Sequence, residues 1–100
     1  MLLYLRDRSA NMIRLPKNID PADFEKITEI ALHFNLRCLP FIDYVGDTIL
    51  NQKQMLELVK EITFLRNQEI EIKKECLDTL YTATLRALEN PNYYLLINGE

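Results

Sequence analysis

The chain has 100 residues, 48% of them hydrophobic, with two glycines and a formal net charge of −3. That length holds one domain, and the apolar content is that of a globular chain rather than a disordered one. The negative balance gives no general pull on phosphate backbones, and Lys and Arg are scattered among acids, as in EIEIKKE; no nucleic-acid partner is expected.

A domain of this size buries roughly 65% of its unfolded surface, enough for one modest core without metal or disulfide. The opening run MLLYL is too short for a signal-peptide core. No window reaches the length of a membrane-spanning helix. The expectation is a soluble, cytoplasmic protein with no membrane partner.

In chain order, LLYLR and NMIRL are β-compatible runs around DRSAN, whose Asp, Ser and Asn favour a turn, so residues 2–15 read as a hairpin. Pro16 ends the second run. Asp20 is placed to cap a helix, with Pro21 suited to its first position and Asp23 and Glu25 near its positive end. Phe24, Ile27, Ile30, Ala31 and Phe34 form one stripe at helical spacing. Asn35 is placed to end that helix in a left-handed conformation.

LRCLPFIDYV then reads as a mostly apolar strand, with Pro40 putting that end at an edge or bulge. Gly46 is expected to supply positive φ for a turn, and TIL to return as a short strand. Asn51 and Gln54 have capping-box spacing. Met55, Leu58, Val59, Ile62 and Leu65 continue one helix; Ile70, Leu77, Leu80, Tyr81, Thr84 and Leu88 form a second periodic run. With no Gly or Pro between the runs, one long bent helix is the alternative, but two helices breaking near residues 66–68 are expected. The tail after Pro91 returns to strand character, Tyr93, Leu95 and Ile97 alternating with Tyr94, Leu96 and Asn98. Both of its faces are apolar, which calls for cover on each side, from helices or from a partner.

Few residues invite chemistry. Asp43 and Asp47 are four apart in a turn that also holds Thr48 and Asn51, and two carboxylates there could converge on a divalent cation. The loop lacks the alternating acids of a calcium-binding EF-hand, and turn and cap chemistry accounts for most of it. His33, the single histidine, sits near a helix end, and with Cys38 it makes a poor nucleophile–base pair. Cys38 and Cys76 have no CxxC spacing and are expected as reduced, buried thiols, a disulfide between them remaining open. Ser9, the one serine, lies in a turn, and Gly46 and Gly99 stand alone, so neither a nucleophile elbow nor a phosphate loop is present. Tyr44, Tyr81, Tyr93 and Tyr94 flank element ends, where tyrosine serves interfaces or edges the core.

The pattern Ile42-Asp43-x-x-Gly46-Asp47-Thr48-x-x-Asn51-x-x-Gln54, followed by Leu58 and Glu61 on an amphipathic helix, resembles a motif of small uncharacterised bacterial proteins. The closing YYLLINGE is similar to the aromatic–apolar end of that group. The resemblance covers about a quarter of the chain. It implies a bacterial origin, on mobile DNA such as a gene cassette, and no catalytic residue.

These readings give an α+β fold: a small, largely antiparallel sheet of the N-terminal hairpin plus two later strands, covered on one face by about three helices. The order is ββ–α–β(β)–α–α–β. The expected function is a non-enzymatic protein-binding module, a bacterial accessory or modulator protein, toxin neutralisation being one version, working as a homodimer. Its binding residues would be Asp43, Tyr44, Asp47, Thr48, Tyr93 and Tyr94, with no catalytic residue, metal ligand or cofactor. The alternative is a small metal-assisted hydrolase or ligand-binding protein using Asp43 and Asp47.

Overall fold

The computed structural model describes residues 1–99. Strand β1, Leu2–Arg6, pairs antiparallel with β2, Met12–Arg14, Tyr4 lying opposite Arg14. Asp7 builds the turn between them: its carboxylate accepts the backbone N–H groups of Ser9 and Asn11 and the Asn11 side chain. These bonds, the Asn11 backbone N–H foremost, hold its carboxyl below the usual range.

Helix α1, Pro21–His33, starts where Asp20 Oδ1 accepts the Ala22 N–H at 2.8 Å. It ends as expected, with Asn35 at φ 59°. There the amides of Asn35 and Leu36 bond back to Leu32 and Ala31, closing the last turn. Phe24, Ile27 and Ala31 are buried, and Ile30 and Phe34 pack at the core edge.

Strand β3 is Asp47–Leu50, and β4 is Tyr94–Asn98. Between them lie α2, Gln52–Arg66, and α3, Lys74–Leu88. The α2 start carries the full capping box: Gln54 N–H donates to Asn51 Oδ1, and Asn51 N–H donates to Gln54 Oε1. The two helices run antiparallel. Arg66 at the end of α2 pairs with Asp78 early in α3 at 3.3 Å, while the Gln52 amide reaches the Ala87 carbonyl at the far end.

The sheet is antiparallel throughout, in the order β2–β1–β4–β3. Alternation sets its two faces. Leu3, Leu5, Leu50, Leu95 and Ile97 point inward and are buried against the helices, together with Phe24, Met55, Leu58, Ile62, Leu77 and Leu80. Each such side chain contributes about 1.5–3 kcal/mol. The exposed ion pairs Lys60–Glu57 and Arg66–Asp78 contribute about 0–1 kcal/mol each. Apolar packing therefore holds the layers together. The fold is the small α+β arrangement expected, with three helices on one face.

One expected element is absent. Leu36–Val45 does not form a strand; the chain turns there through a short 3-10 helix, Leu39–Phe41. The cause is Glu61, on the buried stripe of α2 and only 6% exposed. Its Oε2 accepts the N–H groups of Arg37 and Cys38 at 3.0 and 2.8 Å, and its Oε1 accepts that of Leu39 at 2.8 Å. Pro40 has no N–H to offer. Four successive residues are thus withdrawn from any sheet ladder.

Replacing Glu61 with Ala leaves three amides without an acceptor and is expected to cost about 2–4 kcal/mol. The check is a urea midpoint shift at unchanged slope. Glu61→Gln, which retains one acceptor oxygen, should fall between. A loss under about 0.5 kcal/mol, the range of an ordinary surface change, would show that the carboxylate does not hold this segment.

Candidate functional site

The stretch from Asp43 to Thr48 is a closed set of hydrogen bonds. Val45 N–H donates to Asp43 Oδ1 at 2.8 Å, an Asx turn, and Asp43 N–H donates to Thr48 Oγ1 at 2.9 Å. Asp47 Oδ1 accepts the Asn98 side-chain amide at 2.8 Å. One oxygen of each carboxylate therefore serves a local amide. Among the described residues, no three His, Cys, Asp or Glu side chains group as metal ligands.

Gly46 does not take the positive φ expected of it; neither described glycine does. The Asx turn and the Thr48 hydroxyl bend the chain without it. Gly46 is needed for space instead, since a Cβ there would lie 2.6 Å from Asp43 Oδ2. Gly99 is held more tightly. Its N–H donates to the Gly46 carbonyl at 2.7 Å. A Cβ on it would lie within 2.5–2.7 Å of the Tyr44 carbonyl carbon and the Gly46 and Asp43 oxygens. The end of β4 thus lies directly against the loop.

The tyrosines separate. Tyr44 packs on the core edge with its hydroxyl 3.3 Å from Glu25, whose charge pushes that hydroxyl's pKa up. Tyr93 also packs on the core edge, and its carbonyl accepts from Gln52. Tyr94 stands on the outer sheet face. That face has no helix over it. Register places Asp47, Asn98 and Leu2 in one row, Ile49, Leu96, Tyr4 and Arg14 in the next, and Tyr94, Arg6 and Met12 in the third. The apolar faces of β4 therefore differ: helices cover Leu95 and Ile97, whereas Tyr94 and Leu96 are half-exposed.

His33 ends α1 with its ring edge-on to Phe34 at 5.3 Å. Cys38 and Cys76 are free, buried thiols. Burial, then the Glu61 charge, pushes the Cys38 thiol up to about 11; burial, then Asp23, pushes Cys76 up to about 12. Neither is a thiolate near neutral pH, so neither is primed as a nucleophile.

Two residues matter that sequence reasoning did not single out as structural anchors. Glu61 bonds the Arg37–Leu39 amides; its signal was a charge three residues after Leu58 and four before Leu65, on an otherwise apolar stripe. Gln52 donates its side-chain amide toward the carbonyls of Ala87, Asn90 and Tyr93, tying the start of α2 to the end of α3, and nothing local marks it. Beside the Glu61 contact lies an open groove of about 610 Å³ lined by Arg37, Cys38, Phe41, Leu50, Lys53 and Glu57. Among the described residues no helix is long and apolar enough to cross a membrane. No family model, curated protein or solved structure matches the chain.

Gly99→Ala drives a Cβ into three backbone atoms and is expected to cost about 1–3 kcal/mol in urea unfolding. Gly46→Ala should cost less, because the Asp43 carboxylate it meets can rotate away; the reverse ranking would refute the close approach. The thiols give a second test. With a thiol pKa of about 11, roughly one Cys38 in a thousand is ionised at pH 8, so alkylation of the folded protein should be slow and urea should release both thiols. Both thiols stay protonated longer when folded, whereas the unfolded chain gives up these protons near 9.0. Their contribution to stability is therefore complete below pH 9 and is lost as pH rises toward 11–12. A Cys38→Ala, Cys76→Ala double variant should show a flatter alkaline stability profile.

Proposed function

We propose that this protein is a non-enzymatic binding module, a small bacterial accessory protein of the cytoplasm that acts by contact with other proteins and with a second copy of itself. The observation that carries this reading is the uncovered sheet face, where Leu2, Tyr4, Ile49, Tyr94 and Leu96 form an apolar patch, with Met12 beyond Arg6 and Arg14. Ile49 at 46% and Met12 at 54% are exposed in the single chain. Such a patch in a small chain marks a contact surface. Toxin neutralisation is one activity that a module of this kind performs.

The patch is also self-complementary in charge. Arg6 and Arg14 occupy one corner and Asp47 the opposite one. A two-fold axis in the interface, diagonal to the strands, brings each arginine corner onto the other copy's Asp47 with Leu96 and Tyr4 near the centre. The two sheets then cross near the orthogonal class of sheet packing. Four short strands offer less than the roughly 800 Å² per partner of a standard interface, so the dimer is a weak one. Asp43 and Asp47 as a hydrolytic pair draw no support from carboxylates engaged with Val45 and Asn98.

Light scattering from low to high micromolar protein is expected to show a rise from monomeric to dimeric mass. Leu96→Lys should remain monomeric over the same range while keeping its far-ultraviolet spectrum. A parent protein that stays monomeric at high micromolar concentration removes the dimer from this reading.

A further inference from the structure

One dipeptide of the chain carries a reaction of its own. Asn98 is followed by Gly99, and no other asparagine in the sequence precedes a glycine. In such a pair the glycine nitrogen can attack the asparagine side-chain carbonyl carbon, because no Cβ crowds the approach and the glycine backbone turns freely. The bond from Gly99 N to Asn98 Cγ forms and the bond from Cγ to Nδ2 breaks. The Gly99 amide proton passes through water to the departing nitrogen, which leaves as ammonia, and a succinimide ring remains. One water molecule then opens the ring. Cleavage at Cγ gives aspartate, and cleavage at the main-chain carbonyl gives isoaspartate, whose main chain is one carbon longer.

The fold opposes every part of that attack. Asn98 is the last residue of β4 and lies in register between Leu2 of β1 and Asp47 of β3. Ring closure needs the Asn98 main chain to turn out of the extended conformation, and a strand paired on both sides does not turn. The attacked side chain is tethered, with Nδ2 donating to Asp47 Oδ1 at 2.8 Å. The attacking nitrogen is tethered as well, its N–H donating to the Gly46 carbonyl at 2.7 Å. Gly99 has no room to swing, since a Cβ on it would already lie within 2.5–2.7 Å of Tyr44, Asp43 and Gly46 backbone atoms.

We propose that Asn98–Gly99 is a deamidation site that records opening of the β4 end and then keeps it open. While β4 is paired the site is silent. When β4 separates from β3 and from the loop before it, all four restraints go together and the reaction proceeds with water alone. Neither product fits back. Aspartate at 98 loses the amide donor and sets a second carboxylate directly opposite Asp47, a like-charge pair across the strands. Isoaspartate displaces Gly99 from a position with no slack. In both cases the loop of residues 43–46 loses its tie to β4 and keeps only the grip of Glu61 on residues 37–39. Hydrolysis of the ring makes the change one-way.

The test incubates the full chain in mildly alkaline buffer, folded and in guanidinium chloride, and maps the peptides by mass spectrometry after acid quenching. Protein is kept at low micromolar concentration, so pairing of sheet faces has no part in the outcome. In denaturant Asn98 should convert ahead of every other asparagine, giving separable aspartate and isoaspartate peptides. In the folded chain its conversion should be slower by about tenfold or more, following the small open fraction. Asn98→Asp, which mimics one product, should lower the urea midpoint and speed hydrogen exchange at the Asp43, Val45 and Gly99 amides. The exchanged pair Asn98→Asp, Asp47→Asn restores a donor opposite an acceptor and should recover most of both losses. Equal rates in folded and denatured chain overturn the proposal, and that comparison holds even where a variant fails to fold. An Asn98→Asp midpoint and exchange pattern matching the parent overturns it too, as does an exchanged pair no better than Asn98→Asp alone.

Discussion

The side chain of Glu61 is the contact on which the path of the chain between α1 and β3 depends. A carboxylate inside a protein must find donors, and three consecutive backbone amides supply them here. The contact has two consequences. It removes Arg37–Leu39 from any strand, and it fixes where the chain, coming from α1, passes α2 on its way to β3. Phe41 and the groove face solvent because that turn is held from below.

A second constraint closes the other end of the same loop. Asp43 and Thr48 bend it, Asn98 bonds Asp47, and Gly99 lies against three carbonyl groups of residues 43–46. The loop is therefore gripped by α2 on one side and by the end of β4 on the other. Because β4 lies between β1 and β3, the same strand that completes the sheet also locks the loop. The loop therefore presents its exposed side chains from a base held at both ends.

Much of this was legible before any coordinates. Asp20 and Asn51 were readable as helix starts because a short polar side chain satisfies free amides within three residues of itself. Asn35 was readable as a left-handed stop, and the two runs after Gln52 as separate helices. The candidate site was legible in part. Asp43, Asp47 and Thr48 do share one loop, but Asp43 builds its turn and Asp47 accepts from Asn98, Tyr94 lies at the far end of β4, and Gly46 was needed for room rather than for φ. The groove was missed because Arg37, Phe41, Leu50 and Lys53 share no sequence period; they meet only when α2, β3 and the 3-10 turn converge.

What the sequence by itself determined is what short-range chemistry dictates: caps, turns, the two periodicities, and an α+β fold with one buried sheet face. Tertiary structure alone decided the fate of Leu36–Val45. Its apolar residues suit a strand, but Glu61, more than twenty residues later, offers its amides a better partner than a neighbouring strand would. It alone decided the role of Gly99 as well, because a close backbone approach exists only once strand order has brought residues 43–46 beside it. Local preference acts within a few residues, whereas a buried carboxylate and a missing Cβ act wherever the fold delivers them.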